Sequence, residues 1–148
     1  MNTAEKSTTN IYLDSITLKI SSLKTDLDDL ASILATRSLS RHEYHSAERL
    51  LQVLVESCIG LSKQWVKLID RSVPTDAYQA INMLKTYGHI NDDDEVNWRK
   101  IIGLRNALVH DYLNIDPEII KSVIKSNLYG VLITFTDNAT ISMKKIIK

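Results

Sequence analysis

The chain has 148 residues, of which 44% are hydrophobic and 24% are charged, and its 18 basic side chains balance 18 acidic ones. This length predicts one domain with a core of its own. A formal net charge of zero excludes a positive field over the whole molecule of the kind that holds nucleic acid non-specifically. Any contact with phosphate must therefore come from a local cluster.

The single cysteine, Cys58, cannot form a disulfide within the chain, which indicates a reducing compartment. Because it lies in the apolar run LLQVLVESCIGL, we expect a small core residue rather than a nucleophile. The segment MNTAEKSTTN has no apolar signal core, and no stretch is typical of a membrane helix, so we expect a cytoplasmic protein with no membrane partner. Four scattered histidines and one cysteine show no ligand spacing, and we expect no metal.

Few breaks interrupt the chain, since it has only four glycines and two prolines, and this favours long helices. The polar residues 1–9 are predicted to be disordered, and residues 10–148 to form a single helical domain. From about Ile11, apolar residues recur at helical spacing as far as Leu34. The pattern predicts a long first helix that ends near TRSLSR.

Capping signals predict where the next helices begin. Ser40 followed three residues later by Glu43 is a capping box, which indicates the start of a long second helix that RSVPTD ends. Asp76 is the predicted N-cap of a short third helix, with Gly88 at its C-terminal stop.

The second half of the chain predicts two more long helices. The fourth is VNWRKIIGLRNALVHDY, and the acidic HINDDDEV before it suits a helix N-terminus. The fifth begins at Pro117 and runs to the C-terminus, and it includes the β-branched run VLITFT because the surroundings of this run are helical. The predicted fold class is all-α: an antiparallel helical bundle of four long helices plus one short helix.

The stretch RNALVHDY in the fourth helix places an arginine where a core should form. Arg105 lies near the middle of the apolar stripe of Ile101, Leu104 and Leu108. A buried arginine without a partner is costly. Glu56, in the middle of the second helix among apolar residues, is the predicted partner. An ion pair that only fixes helix packing is the simplest explanation of Arg105 alone.

The other polar residues of this stretch also have ordinary explanations when each is taken alone. Asn106 and His110 are four residues apart and form a pair on an adjoining face. Tyr112 lies seven residues beyond Arg105, along the same side of the helix. A histidine at a helix end and an aromatic residue at the edge of a core are both common.

Together, these residues have the form R-N-x-x-x-H-x-Y, which resembles the R-x-x-x-x-H motif of the HEPN superfamily. More specifically, they resemble the HepT group, toxins encoded beside a minimal nucleotidyltransferase. The likeness extends over residues 40–116, through HSAERLLQVLVESCIGL, VPTDAYQAINMLKTYGHI and GLRNALVHDYLNID. One departure is Gly60, at a position where the group has an acidic residue.

The resemblance implies a metal-independent endoribonuclease that cleaves RNA and serves as the toxin of a type II- or type VII-like toxin–antitoxin pair. Arg105 and His110 are the implied catalytic residues, with Asn106 and Glu56 supporting them. The residue types suit this chemistry. RNA carries its own nucleophile in the 2′-hydroxyl, histidine can move a proton near neutral pH, and arginine offers a fork of donors to phosphate.

Five residues separate Arg105 from His110, which corresponds to about 140° around a straight helix. Two copies of the fourth helix facing each other across a two-fold axis would bring both groups to one cleft. The resemblance also implies a homodimer. It further implies an MntA-like nucleotidyltransferase antitoxin that adds AMP to Tyr112 and silences the toxin. That partner would supply ATP and Mg²⁺, and the chain itself is expected to need no cofactor.

Two other interpretations remain open. In one, the chain is a non-catalytic helical module in which RNALVHDY binds the nucleotidyltransferase or a nucleotide, and the neutral overall charge favours this. In the other, the bundle is purely structural and Arg105 is paired internally.

Overall fold

The computed structural model describes residues 1–110 and 115–148, and within these ranges the chain forms helices and no strand. Six helices are present in this part of the chain. They are α1 (Thr3–Leu34), α2 (Arg41–Asp70), α3 (Ala77–Thr86), α4 (Asp92–His110), α5 (Pro117–Lys125) and α6 (Leu128–Ile146). The all-α prediction is confirmed, whereas the predicted count of four long helices and one short helix is not.

The first helix begins at Thr3, well before the predicted start near Ile11. Asn2 caps it, because the backbone N–H of Glu5 donates to Asn2 Oδ1 at 2.8 Å and the Glu5 carboxylate accepts from the Asn2 N–H at 3.2 Å. The structure describes residues 3–9 as the first turns of α1, where the sequence predicted disorder. The apolar stripe begins later than the helix does, since the first turns are held by their cap. The extent of the single domain, residues 10–148, stays a prediction.

The predicted boundaries of the middle helices are confirmed. Ser40 and Glu43 form the capping box of α2, and the Asp76 side chain accepts from Gln79 N–H at the start of α3. Gly88 follows α3 with a φ of 80°, a left-handed conformation that glycine adopts without strain. Pro117 lies in the first turn of α5.

The predicted fifth helix is in fact two helices. Asn127, between α5 and α6, has a φ of 56°, and a residue in this left-handed region ends a right-handed helix. Asparagine tolerates this conformation better than most residues, so one position turns the chain. The prediction of an unbroken helix from Pro117 is wrong for this reason. The run VLITFT lies inside α6, as predicted.

The second helix is the centre of the bundle, since it packs against each of the other five helices. Its buried residues face several neighbours at once, and Leu51, Leu54 and Leu61 are fully buried. Cys58 is also fully buried, and burial raises the pKa of its thiol to about 12. It is a core residue, as predicted, and the protonated thiol is a poor nucleophile.

Polar contacts connect α1 to α6 near both ends of their antiparallel pairing. The Tyr129 hydroxyl donates to Asp28 Oδ1 at 2.7 Å, and Lys144 Nζ donates to Asp14 Oδ1 at 2.8 Å. These contacts join residues that are 101 and 130 positions apart in the sequence.

None of the helices in the described ranges is both long enough and apolar enough to span a membrane.

A bidentate ion pair strengthens the start of α2. The Arg37 guanidinium donates to both carboxylate oxygens of Glu43, at 2.7 and 2.9 Å, and the Ser40 backbone N–H donates to one of them at 2.8 Å. These contacts lower the pKa of Glu43 to about 2 from its ordinary 4.5, and the hydrogen bond from Arg37 has the largest effect. Because the pKa is lower in the folded state, the resulting stabilisation is complete above pH 4.5 and is lost as the pH falls towards 2.

We predict that Glu43→Gln weakens the acid dependence of folding stability. The wild-type midpoint of thermal unfolding should fall between pH 4.5 and 2 by more than that of the variant, which has no carboxylate to protonate. Circular dichroism melts at several pH values would measure this. Asp137→Asn removes an exposed carboxylate on α6 and should keep the wild-type acid dependence. Parallel curves for wild type and Glu43→Gln would contradict the prediction.

Candidate active site

The predicted partner of Arg105 is present. Where α4 packs against α2, Arg105 Nε donates to Glu56 Oε1 at 2.6 Å. Each side chain lies beside a buried residue of its own helix, Leu104 on α4 and Val55 on α2, so packing of the two helices brings the charges together.

The ion pair lies at the edge of the bundle rather than in its core. The side chains of Arg105 and Glu56 are 36% and 42% exposed. An ion pair this exposed contributes only about 0–1 kcal/mol to stability. The desolvation cost that the apolar stripe suggested is largely avoided, since both groups keep contact with water. The fold therefore gains little from a pair that leaves a guanidinium accessible.

Asn106 holds Arg105 from a second side. Arg105 Nη1 donates to Asn106 Oδ1 at 3.2 Å. In the described part of the chain, no hydrogen bond joins Asn106 to His110, although their spacing had suggested a pair. A guanidinium has five N–H donors, and two of them bond to described residues here. Two acceptors thus orient Arg105, and no other described residue accepts from its remaining donors.

His110 is the last residue of α4 and is exposed. No hydrogen bond between described residues connects it to Arg105, which turns towards α2. Within one chain, hydrogen bonds thus join Glu56, Arg105 and Asn106, and none between described residues connects His110 to this group. Tyr112, the predicted site of modification, belongs to residues 111–114, which lie outside the described residues.

Two adjoining clefts lie along α2, and Glu56 of the ion pair lines the first of them. The first lies between α1 and α2, with Lys19 and Gly60 among its lining residues and Glu56 at one side. The second lies between α2 and α4 and contains Val109. Arg49 and Gln52 line both clefts, so the two clefts adjoin at these side chains of α2 and together make up the α2 groove.

The sequence interpretation missed this groove, although part of it was readable. The polar residues His45, Arg49, Gln52 and Glu56 follow one another at intervals of four, three and four, which places them on one face of a helix.

Among the described residues, no three histidine, cysteine, aspartate or glutamate side chains come together in a way that could hold a metal ion.

A comparison with protein families assigns most of this chain to one family. A family described as ribonuclease HepT-like matches residues 19–138, a range that includes Glu56, Arg105 and His110. The chain belongs to this HepT-like family. The family membership that the RNALVHDY stretch suggested is thereby confirmed.

Two curated relatives agree with this assignment. A candidate ribonuclease of Archaeoglobus fulgidus is 32% identical over 92 residues, which cover 62% of this chain and 68% of that protein. The mRNA nuclease HepT of Shewanella oneidensis is 23% identical over 118 residues, which cover 78% of this chain and 89% of that protein.

Solved structures share the HepT-like fold. A chain of a toxin–antitoxin crystal structure with AMP-PNP has a TM-score of 0.75 and 19% identity, with 94% of this chain and 99% of that one covered. The tri-AMPylated HEPN toxin of Shewanella oneidensis in complex with an MNT antitoxin has a TM-score of 0.70 and 23% identity, with 86% and 96% covered. The bundle is therefore of the HEPN type.

We predict weak energetic coupling between Glu56 and Arg105 in the folding of the protein. A double-mutant cycle with Glu56→Gln, Arg105→Gln and the double variant should give a coupling energy below about 1 kcal/mol, because the pair is partly hydrated. Urea unfolding followed by circular dichroism would measure the four free energies. A coupling of about 3 kcal/mol or more, the range of buried pairs, would instead assign the pair a structural role.

Proposed function

We propose that this protein is an RNA-cleaving toxin of a toxin–antitoxin pair, that it acts in the cytoplasm without a metal ion, and that a nucleotidyltransferase partner controls it. The observation that carries the proposal is the placement of Arg105. Within the motif of a ribonuclease family, this guanidinium is oriented by Glu56 and Asn106 and remains partly exposed, with three N–H donors that no described residue uses.

The proposed reaction is an attack within the RNA strand. The 2′-oxygen forms a bond to the adjacent phosphorus as the bond from phosphorus to the 5′-oxygen breaks. The products are a 2′,3′-cyclic phosphate and a 5′-hydroxyl. A base must take the proton of the 2′-hydroxyl, an acid must give a proton to the leaving oxygen, and a cation must meet the charge that grows on the phosphate.

Arg105 would meet that charge with its unused donors, in a geometry that suits phosphate oxygens. Glu56 and Asn106 act through Arg105 by holding its orientation, and so we propose them as positioning residues. His110 would take or give the proton, since its ring is exposed at the end of α4.

A homodimer would complete this site. In one chain Arg105 turns towards α2 and His110 lies about 140° away around the helix axis. A two-fold axis beside α4 would place His110 of one protomer near Arg105 of its partner, so that one phosphate meets both groups.

Regulation would act through Tyr112. AMP on a phenol seven residues from Arg105 adds a bulky anion that can occupy the guanidinium and block RNA. The HEPN toxin of Shewanella oneidensis is tri-AMPylated in its complex with an MNT antitoxin, which supports this proposal. The partner enzyme would bring ATP and Mg²⁺.

A non-catalytic binding module is the second candidate, favoured by the net charge of zero. In that case RNALVHDY would bind the nucleotidyltransferase or a nucleotide, and the purified protein would leave RNA intact.

We predict that the purified protein degrades RNA in the presence of EDTA and that Arg105→Ala or His110→Ala lowers the rate by about 100-fold or more. Gel analysis of a labelled single-stranded RNA would measure the rates. Phosphatase and kinase treatment of the fragments should reveal cyclic phosphate and 5′-hydroxyl ends.

Matched controls exist for both variants. Arg99→Ala removes another arginine of α4, and His42→Ala removes an exposed histidine of α2, so both should cleave at the wild-type rate. Wild-type cleavage by Arg105→Ala and His110→Ala would refute the site. An absence of cleavage by the folded wild-type protein would favour the binding module.

We predict that incubation with the partner nucleotidyltransferase, ATP and Mg²⁺ adds one or more AMP groups to the wild-type chain and abolishes cleavage. Intact-mass spectrometry would count the added groups, and the same sample would then be assayed on RNA. Tyr112→Phe should remain at its original mass, and Tyr87→Phe, which alters an exposed tyrosine of another segment, should behave as wild type. If the Tyr112→Phe variant still gains AMP, the modified residue is not Tyr112.

A further inference from the structure

The groove along α2 reaches the Glu56–Arg105 pair through Glu56, which lines its first part. Its first part is lined by α1 and α2 and includes Lys19, Glu56 and Gly60. Its second part is lined by α2 and by Leu108 and Val109 of α4, within a turn of Arg105. A strand lying in the groove would therefore pass Glu56, whose carboxylate accepts from the guanidinium that the proposed function assigns to phosphate.

Arg49 has a central position in this groove. It lines both parts, and it precedes Glu56 by two turns on the same face of α2, about 10 Å along the helix axis. It is exposed, and its hydrogen bond to a described residue is a long one, 3.5 Å from Nη1 to Gln52 Oε1. Within residues 1–110 and 115–148 it makes no ion pair.

The charges of the groove favour an anionic strand. Glu56 is already paired with Arg105, and Glu48 lies 3.9 Å from the imidazole of His45. Lys19, on the α1 side, is exposed and, like Arg49, makes no ion pair with a described residue. With Arg105 included, three cations thus face the two carboxylates Glu48 and Glu56 along the groove, an excess of one positive charge in a chain whose formal net charge is zero. This is the local cluster that phosphate binding requires.

Gly60 keeps this groove open and free of a further charge. A Cβ at this position would lie 3.8 Å from Tyr12 Oη, an ordinary contact, so a side chain here would extend into the space beside Glu56. A carboxylate at position 60 would add negative charge between Lys19 and Glu56. Glycine leaves the cations as the groove's excess charge.

We infer that the groove floored by α2 is the path of the RNA strand, with Arg49 and Lys19 binding backbone phosphates that flank the one held by Arg105. This inference rests on the proposed function and assigns its substrate-binding residues. Arg49 and Lys19 position the strand, and neither contacts the reacting atoms.

The test is binding of a fluorescent single-stranded RNA of mixed sequence, followed by anisotropy. The His110→Ala protein is used throughout, so that no RNA is cleaved during the measurement. Arg49→Gln should raise the Kd about tenfold, since a charged hydrogen bond to phosphate is lost. The slope of log K against log salt should become shallower by about 0.7 for each phosphate contact removed from a single strand.

Arg99→Gln, which removes an arginine that pairs with Glu95 away from the groove, is the matched control and should leave the Kd and its salt slope unchanged. In cleavage assays of the otherwise wild-type protein, Arg49→Gln should raise KM and leave kcat within about twofold. Unchanged Kd and salt slope in Arg49→Gln and Lys19→Gln would overturn the inference. That result would leave the proposed function intact if Arg105→Ala still loses cleavage, because cleavage by the Arg105 variant tests the proposed function and RNA binding by the Arg49 and Lys19 variants tests the groove.

A pair of variants at position 60 tests the charge of the groove directly. Gly60→Glu and Gly60→Gln introduce side chains of nearly equal size into the same space, and only the first adds a negative charge. Gly60→Glu should bind the RNA several-fold more weakly than Gly60→Gln. Added salt should reduce this difference in Kd, because it screens the charge of the glutamate. Equal affinities of the two variants would overturn the assignment of the groove.

Discussion

The candidate site depends on one half-exposed ion pair. Glu56 holds Arg105 at 2.6 Å while both side chains keep more than a third of their surface in water. A deeper pair would leave no donor for a ligand, and a fully solvated arginine would have no fixed orientation. The intermediate depth allows a guanidinium to be oriented and still available, and Asn106 strengthens the orientation from a second side.

Much of the fold was predictable because its signals are local. Apolar spacing located the helices, and caps at Ser40 and Asp76 located their starts. The errors also have local causes. At Asn2 a cap begins a helix before its apolar stripe does, and at Asn127 a single left-handed residue divides a helix whose apolar pattern continues on both sides. Periodicity reports which face is buried, and it is insensitive to the conformation of one residue.

The site was predictable in part. Glu56 could be chosen as the partner of Arg105 because an acidic residue within an apolar helix needs a cation, and the extended motif pointed to the family. The spacing of Arg49 and Gln52 from Glu56 was also in the sequence. The approach of Lys19 was not, because it depends on how α1 packs against α2, and no local pattern encodes that register. The bond from Arg105 to Asn106 depends on side-chain rotamers.

The pairing of the first and last helices has a consequence for biosynthesis. Its two polar contacts span 101 and 130 residues, so they can form only after α6 has left the ribosome, and they close the longest loops in the described structure. A nascent chain long enough to include Glu56 and Arg105 still lacks Phe135, which packs between Trp65 and Trp98 beneath α2 and α4. The surface that carries the pair therefore acquires its full support only after α6 has been synthesised.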